Sequence, residues 1–328
     1  MNSYGVYKET KKYYEYWEKE KSEQYKNYRY KWEHNPENDV VEYAPINVDI
    51  EVTAACNLKC PMCLFAMERT KGGASAVKSG FMSWELYKKI VDEAAAIGVS
   101  AIKLVWRGEP LLHPDIVKMI QYAKKCGILD VIINTNAVCL NDELARDLIS
   151  AGLDKIIFSV DSIDKDEYEQ IRIGAKFEEV IENIKNFCEI NKELGHPVLT
   201  RVQRVKMENT DEKQTDFEKF FSEIVDVTAY DECVLYGEEL KELKEKFDKY
   251  PLFRCSQLWQ RIIISWNGKC FMCCEDGREE YEIGNINDES LHDIWVGERL
   301  EYARKLHREN KWYMLDRCNN CAYPYMGL

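Results

Sequence analysis

Six short runs of β-branched and other apolar residues alternate with amphipathic segments through the middle of the 328-residue chain, and no other feature limits its fold so tightly. The runs are INVDIEV at 46–52, AIKLV at 101–105, DVIINT at 130–135, KIIFSV at 155–160, VLTRVQRV at 198–205 and IVDVTA at 224–229. Between them, 83–97, 115–125, 141–151 and 176–194 repeat their apolar residues with a helical period. Strands that alternate with helices are joined by crossovers and lie parallel, which predicts an α/β fold. Periodicity is equally compatible with an open sheet and with one that curls into a partial barrel.

The flanks read differently. Tyr7, Tyr14, Trp17, Tyr25, Tyr28 and Trp32 form an aromatic stripe that predicts a helix over 1–34, ended by His34-Asn35-Pro36. Such a helix either packs on the main domain or serves as a lid or docking surface. Past the last run comes a charged helical connector, EELKELKEKFDKY at 238–250. A hairpin follows over 262–273 with Asn267-Gly268 at its turn, then a helical stretch over 290–309 and Cys318-Asn319-Asn320-Cys321. The expected organisation is a helical extension over 1–44, an α/β unit over 45–236 and a small C-terminal unit over 237–328.

With 45 Lys+Arg against 58 Asp+Glu, the net charge of −13 opposes binding to a phosphate backbone, so nucleic acid is not an expected partner. No apolar run approaches the roughly 18 residues of a membrane span, and MNSYGVYKETKKYY lacks the apolar core of a signal peptide. A cytoplasmic, membrane-free protein is therefore expected. In a reducing compartment thirteen cysteines point to metal or cluster ligation rather than to disulfides. Three fall within 56–63 and six between 255 and 321, while Cys126, Cys139, Cys188 and Cys233 stand alone.

Cys56-x3-Cys60-x2-Cys63 follows the first run directly, where parallel α/β folds present ligand-binding loops. Three thiolates hold three irons of a [4Fe–4S] cluster and leave the fourth open; zinc normally wants a fourth protein ligand, and the next histidine is His113. CNLKCPMC in this position resembles the defining motif of the radical S-adenosylmethionine (SAM) superfamily. The resemblance implies a partial (β/α)6 TIM-type barrel in which the open iron binds the amino and carboxylate groups of SAM. An electron from an external reductant such as flavodoxin or ferredoxin then yields methionine and a 5′-deoxyadenosyl radical, which takes hydrogen from the substrate.

Further positions match the family one by one. Arg107-Gly108-Glu109-Pro110 resembles its Gly-Gly-Glu-Pro element, with Gly108 and Glu109 implied to receive the methionine ammonium and Arg107 in place of the first glycine. Asn134 and Asn136 at the end of the third run, and Ser159 and Asp161 at the end of the fourth, match positions around methionine and ribose. Arg172 resembles the arginine that pairs with the SAM carboxylate, and Met62 is implied to lie near adenine. Read singly, these are also ordinary turn, cap and surface residues. Their common place at successive strand ends favours the cofactor reading.

Cys255-x17-Cys273-x44-Cys318-x2-Cys321 offers four thiolates, a complete set for a second [4Fe–4S] cluster, with structural zinc as the alternative. The spacing, with Cys-x3-Trp at 255–259 and the Asn267-Gly268-Lys269 turn before Cys273-Cys274, resembles the SPASM/twitch auxiliary-cluster domains. A full SPASM domain needs more cysteines than remain, which favours the one-cluster twitch form. Cys273 is favoured over Cys274 as ligand, leaving Cys270 and Cys274 over.

Twitch-containing relatives, among them the dehydrogenases of aminocyclitol biosynthesis, imply a two-electron oxidation of a small carbohydrate, aminocyclitol or other polyol. Arg201 and Arg204 on the fifth run are candidates to deprotonate or orient the alcohol. The alternative is an epimerase or peptide maturase with a thiol hydrogen donor, for which Cys233, Cys274, Cys270 and Cys139 are available. A free cysteine is otherwise a small buried hydrophobe. The lack of strands expected in 1–34 argues against a peptide-recognition domain, and a non-catalytic metal-binding module is a third class.

Overall fold

The computed structural model describes residues 6–9, 17, 20–71, 79–206, 211–232 and 234–326. Among the described residues the first elements are a strand, β1 (Val6–Glu9), and helix α1 (Glu23–Asn38). Six parallel strands come next: β2 (Asn47–Ile50), β3 (Ala101–Leu104), β4 (Asp130–Thr135), β5 (Lys155–Ser159), β6 (Leu199–Lys206) and β7 (Val227–Glu232). The crossovers carry α2 (Leu64–Lys71), α3 (Trp84–Ile97), α4 (Ile116–Lys125), α5 (Asp142–Ser150), α6 (Lys165–Ile171), α7 (Phe177–Glu193) and α8 (Asp211–Phe221). The C-terminal part adds α9 (Gly237–Lys244), α10 (Gln257–Gln260), β8 (Arg261–Ile264), β9 (Lys269–Phe271), β10 (Glu282–Asn285), α11 (Leu291–Val296), α12 (Glu298–Arg308) and α13 (Asp316–Asn319).

Among the described residues all ten strands share one sheet in the order β1-β7-β6-β5-β4-β3-β2-β8-β9-β10. It is an unclosed barrel: β8 lies parallel to β2 at one edge and leads into the antiparallel β9 and β10, while β1 pairs antiparallel with β7 at the other. A strand sends successive side chains to opposite faces. Val48, Ile50, Ile102, Leu104, Ile133 and Phe158 pack outward against Ile90, Met119, Leu148 and Phe187 of the helical layer. The alternate positions, including Asp49, Lys103, Asn134, Arg201 and Gln203, lie on the other face. This second face is polar, which marks it as the wall of a site rather than the centre of an apolar core.

The N-terminal segment departs from the expected continuous helix. A strand occupies 6–9, Tyr14 lies outside the described residues, and α1 runs through Pro36 to Asn38 instead of stopping at His34-Asn35-Pro36. A helical proline cannot donate to the carbonyl four residues earlier, here Trp32. The Gln260 side-chain amide donates to that carbonyl at 2.7 Å, so the lost bond is replaced from the C-terminal part of the fold. The helix ends at Asp39, whose φ of 57° places it in the left-handed region.

α1 is also no lid. Trp17, Tyr25 and Tyr28 bury themselves against Ala101, Leu199 and Val227, residues at the starts of their strands and so at the end of the barrel opposite the Cys56 loop. There the Tyr28 hydroxyl donates to Asp130 Oδ2 at 3.0 Å, and Lys155 Nζ donates to Asp130 at 2.7 Å and to the Tyr25 hydroxyl at 2.6 Å. Smaller differences have local causes. β7 starts three residues later than expected because Asp226 is used to accept from Thr200, and Gly297 divides the 290–309 helix into α11 and α12. The connector is helical only over α9.

Asp130→Ala leaves Lys155 buried without its partner. It is expected to destabilise the protein by about 3–5 kcal/mol, measured as a lower urea midpoint by tryptophan fluorescence.

Candidate active site

The loop leaving β2 is pinned before it reaches its cysteines. Ala54 N donates to Gly80 O at 3.0 Å, the Thr53 hydroxyl donates to the same carbonyl at 2.9 Å, and Ala55 N donates back to Thr53 Oγ1 at 3.0 Å. Cys63 N donates to Cys60 O at 3.1 Å and Met67 N to Cys63 O at 3.0 Å, so α2 grows directly from the last cysteine. Leu58 N donates to Cys56 Sγ at 3.5 Å. Burial pushes the Cys56 thiol up to about 11, and the charges of Glu109, Cys60 and Cys63 add to the shift. The three thiols therefore stand in one another's field, and a bound cation is what would make them thiolates together. Among the described residues no three such side chains converge at single-ion spacing, a convergence that a four-iron cubane does not require.

Residues 107–109 face this loop. A Cβ at Gly108 would lie 2.0 Å from Thr53 O and 2.7 Å from Ala55 O, so only glycine fits. Glu109 N donates to Ala55 O at 2.8 Å. The buried Glu109 carboxylate accepts from Leu111 N at 3.0 Å, the Thr135 hydroxyl at 2.7 Å and Asn136 N at 2.7 Å. It thus ties the ends of β3 and β4 together, in addition to the SAM-binding role expected for it. Asn136 is also engaged: its amide donates to Asn57 Oδ1 at 2.8 Å and its oxygen accepts from Val138 N at 3.0 Å.

Asn134 contrasts with these neighbours, because its buried Oδ1 has no hydrogen-bond partner among the described residues. Asp161 accepts from Arg172 Nε at 2.5 Å and from Val205 N at 2.9 Å, and so aims Arg172, whose NH1 lies 3.9 Å from Cys60 Sγ. Burial opposes the Arg172 charge, but Asp161 and Cys60 outweigh it and push its pKa up. Ser159 is half-buried at the end of β5, and half-buried Met62 packs on the core beside Cys63. An orphaned acceptor, a tethered guanidinium and three thiols at one end of the barrel fit a cluster carrying a ligand with both ammonium and carboxylate groups.

The second cysteine set converges. Cys255, Cys273, Cys318 and Cys321 line one cavity with His307, Arg317 and Tyr323. Burial first, and mutual charge next, push the Cys318 thiol well up. Cys274 faces elsewhere: its sulfur accepts from Gln257 Nε2 at 3.3 Å and Arg261 NH2 at 3.8 Å, and it shares an electrostatic neighbourhood with Asp49 and Lys103. Cys270 is buried under its own hairpin, Cys139 accepts from Asn57 at 3.7 Å beside the first loop, and Cys233 lies outside the described residues.

The two arginines of β6 part company. Arg201 faces the interior, where it donates to Gln203 at 2.6 Å and interacts with Asp231. Arg204 lies on the opposite face, over the Phe217 ring of α8 at 5.7 Å, so the expectation that it contacts an alcohol in the barrel is corrected. The sequence reading passed over Lys103, Asp49, Asp231 and Arg261, which share the interior with Arg201. Its available signal was the charge at inward positions of otherwise apolar strands. Arg261 NH1 pairs with Asp49 at 3.0 Å, and Gln203 donates to Asp231, whose Oδ1 has no partner among the described residues. Burial and the two arginines bring Lys103 down to about 8, against the opposing pull of Asp49.

The sequence pattern of the radical SAM superfamily matches residues 50–212, and that of the SPASM iron–sulfur cluster-binding domain matches 255–322. The chain belongs to the radical SAM superfamily. Its cofactors are accordingly SAM with its [4Fe–4S] cluster and auxiliary iron–sulfur centres, in place of the zinc alternative. It is 34% identical over 190 residues to a GTP 3′,8-cyclase of Desulforamulus reducens, covering 58% of this chain and 55% of that one. The chain thus spans about half the length of that relative. It is 25% identical over 320 residues to the tungsten-containing aldehyde ferredoxin oxidoreductase cofactor-modifying protein of Pyrococcus furiosus, covering 83% of this chain and 86% of that one. In fold it is similar to BtrN in complex with AdoMet and 2-DOIA, with a TM-score of 0.59 at 18% identity over 86% of this chain and 94% of that one. It is likewise similar to Streptococcus suis SuiB bound to SAM, with a TM-score of 0.60 at 15% identity over 87% and 72% of the two chains. Among the described residues no helix is long and apolar enough to cross a membrane.

Gly108→Ala is expected to displace the Thr53 to Ala55 backbone and weaken SAM binding at least tenfold, measured by isothermal titration of the reconstituted protein. A variant with both Cys318 and Cys321 replaced by Ala is expected to lose about four irons per chain and still form 5′-deoxyadenosine, measured by iron analysis and chromatography.

Proposed function

We propose that the chain is a radical SAM oxidoreductase that dehydrogenates a hydroxyl-bearing carbon of a small sugar, aminocyclitol or other polyol. In this reading Cys56, Cys60 and Cys63 hold the SAM-binding cluster. Met62, Gly108, Asn134, Ser159 and Arg172 line the SAM site, and Glu109, Asn136 and Asp161 position it. Cys255, Cys273, Cys318 and Cys321 hold one auxiliary [4Fe–4S] cluster, and a flavodoxin or ferredoxin supplies the priming electron. When bound, SAM and its cluster supply the 5′-deoxyadenosyl radical that takes a hydrogen atom from substrate carbon.

One observation carries the choice of substrate: the barrel interior is charged, and Asp231 Oδ1 within it finds no donor among the described residues. Buried acceptors without donors are costly, and a ligand with several hydroxyl or amino groups supplies the missing donors. Lys103 faces the same space among Asp49, Asp231, Arg201, Arg261 and Cys274. Oxidation of a carbinol to a carbonyl releases one hydrogen atom from carbon, one proton from oxygen and one electron. When bound, SAM and the auxiliary cluster would take up the hydrogen atom and the electron, and neutral Lys103 would accept the proton at Nζ. Cys274 supports a second reading, epimerisation, because its thiol belongs to the interior and not to the auxiliary set.

The reconstituted enzyme, SAM and dithionite are to be incubated in deuterated water with inosamines, amino sugars, nucleotide sugars and short peptides. A carbonyl product without deuterium supports dehydrogenation. Deuterium at an inverted carbon, lost in Cys274→Ala, supports epimerisation, and a modified peptide defeats both. Because the proton acceptor is the neutral amine, product formation is expected to rise with pH through about 8. Lys103→Met is expected to lose that rise and at least a hundredfold in rate while SAM affinity stays unchanged.

A further inference from the structure

His307 has no part in the ligand set proposed above, yet it stands in the wall of the auxiliary cavity. It projects from α12 and is 2% exposed. Its Nδ1 lies 3.2 Å from the backbone N of Cys255, whose N–H can only donate. A ring nitrogen that accepts carries no proton, so the single proton of the neutral imidazole is on Nε2. Nε2 faces Cys318 Sγ at 3.5 Å, within reach of an N–H to sulfur hydrogen bond. The backbone of one proposed ligand thus fixes the tautomer that points a donor at the sulfur of another. The Phe253 ring, 6.0 Å away, packs beside the imidazole.

We infer that His307 tunes the reduction potential of the auxiliary cluster by donating a hydrogen bond from Nε2 to Cys318 Sγ, which makes the cluster a better electron acceptor. The inference rests on the proposed assignment of Cys318 as a cluster ligand. A donor at a ligating sulfur draws negative charge from it and favours the reduced state, which carries one more electron. Hydrogen bonds to sulfur are among the factors that set cluster potentials, and residues behind the ligands orient them. His307 is a positioning residue in this sense: it need touch neither substrate nor iron.

The test is an EPR-monitored redox titration of the reconstituted holoenzyme as wild type, His307→Leu and His307→Gln, with iron analysis of each. The first cluster, identified by the response of its signal to SAM, is the internal control. His307→Leu is expected to keep two clusters' worth of iron and to shift only the auxiliary midpoint to lower potential. His307→Gln, which retains an N–H donor, is expected to fall between it and wild type. An unshifted auxiliary midpoint in His307→Leu overturns the inference. So does loss of the second cluster's iron in both variants, which would make His307 a holder of the site. Iron for a single cluster in the wild type would instead defeat the assignment of Cys318 itself, and the inference with it.

Discussion

The guanidinium of Arg107 is bound by acidic groups from two distant stretches of chain. Glu51, at the exit of β2, takes it in two hydrogen bonds of 2.6 Å, and Glu279, beyond the auxiliary hairpin, takes NH1 at 2.8 Å. The Arg107 side chain is 2% exposed and that of Glu51 is fully buried. Such burial is tolerable only with complete, well-directed pairing. The guanidinium also lies 4.0 Å from the centre of the Trp106 ring, whose indole N–H donates to Cys274 O at 2.8 Å. Trp106 has a φ of 136°, rare for a bulky residue, and these contacts on either side hold it there. Arginine in place of the family's first glycine thus joins the loop beside the first cysteines to the segment that carries Cys273 and Cys274.

That joint gives the alternation of side chains along the strands its consequence. Outward residues are apolar and make the helices cover the sheet. Inward residues are charged: Arg261 pairs with Asp49, and Arg201 stands in the field of Asp231. Two acceptors stay unmatched among the described residues, Asn134 Oδ1 in the proposed SAM site and Asp231 Oδ1 in the charged interior. The cost of leaving them so is borne by a sheet whose outer face is almost wholly buried.

The parallel strands were legible because their apolar runs alternate with segments of helical period, and in the structure those segments are capped. Ser83 and Asn141 each accept from a backbone N–H three residues on, at 3.2 and 2.8 Å, and Gly98 closes α3 with a φ of 86°. Long-range compensation was not legible. Pro36 reads as a helix terminator until Gln260, 224 positions later in the numbering, is seen to donate to the carbonyl that proline leaves free. The two arginines of β6 illustrate the same limit. Arg201 and Arg204 look equivalent in sequence, but an odd spacing on a strand sends them to opposite faces. The cysteine sets were readable from spacing, whereas His307 was not, since nothing local ties a helical histidine to thiols on either side of it in sequence.

Cys273 and Cys274, adjacent in sequence, serve different spaces. Cys273 follows β9 and Cys274 sits in the turn closed by Asp276 N donating to Cys273 O at 3.2 Å, so Cys273 lines the auxiliary cavity while the Cys274 sulfur accepts from Gln257 and Arg261. Gln257 lines that cavity as well, and its carbonyl oxygen accepts from Cys274 N at 3.2 Å. Tyr323 likewise belongs to both sides: it lines the auxiliary cavity and stands in the field of Glu275, Cys274 and Asp231. The charged interior and the four thiols are therefore divided by a wall of single side chains. For the reaction proposed above, an electron released at an interior carbon would have a short route to the auxiliary site, and an alcohol proton would meet Lys103 on the interior side. In the proposed dehydrogenation the proton and the electron would thus leave toward opposite faces of that wall.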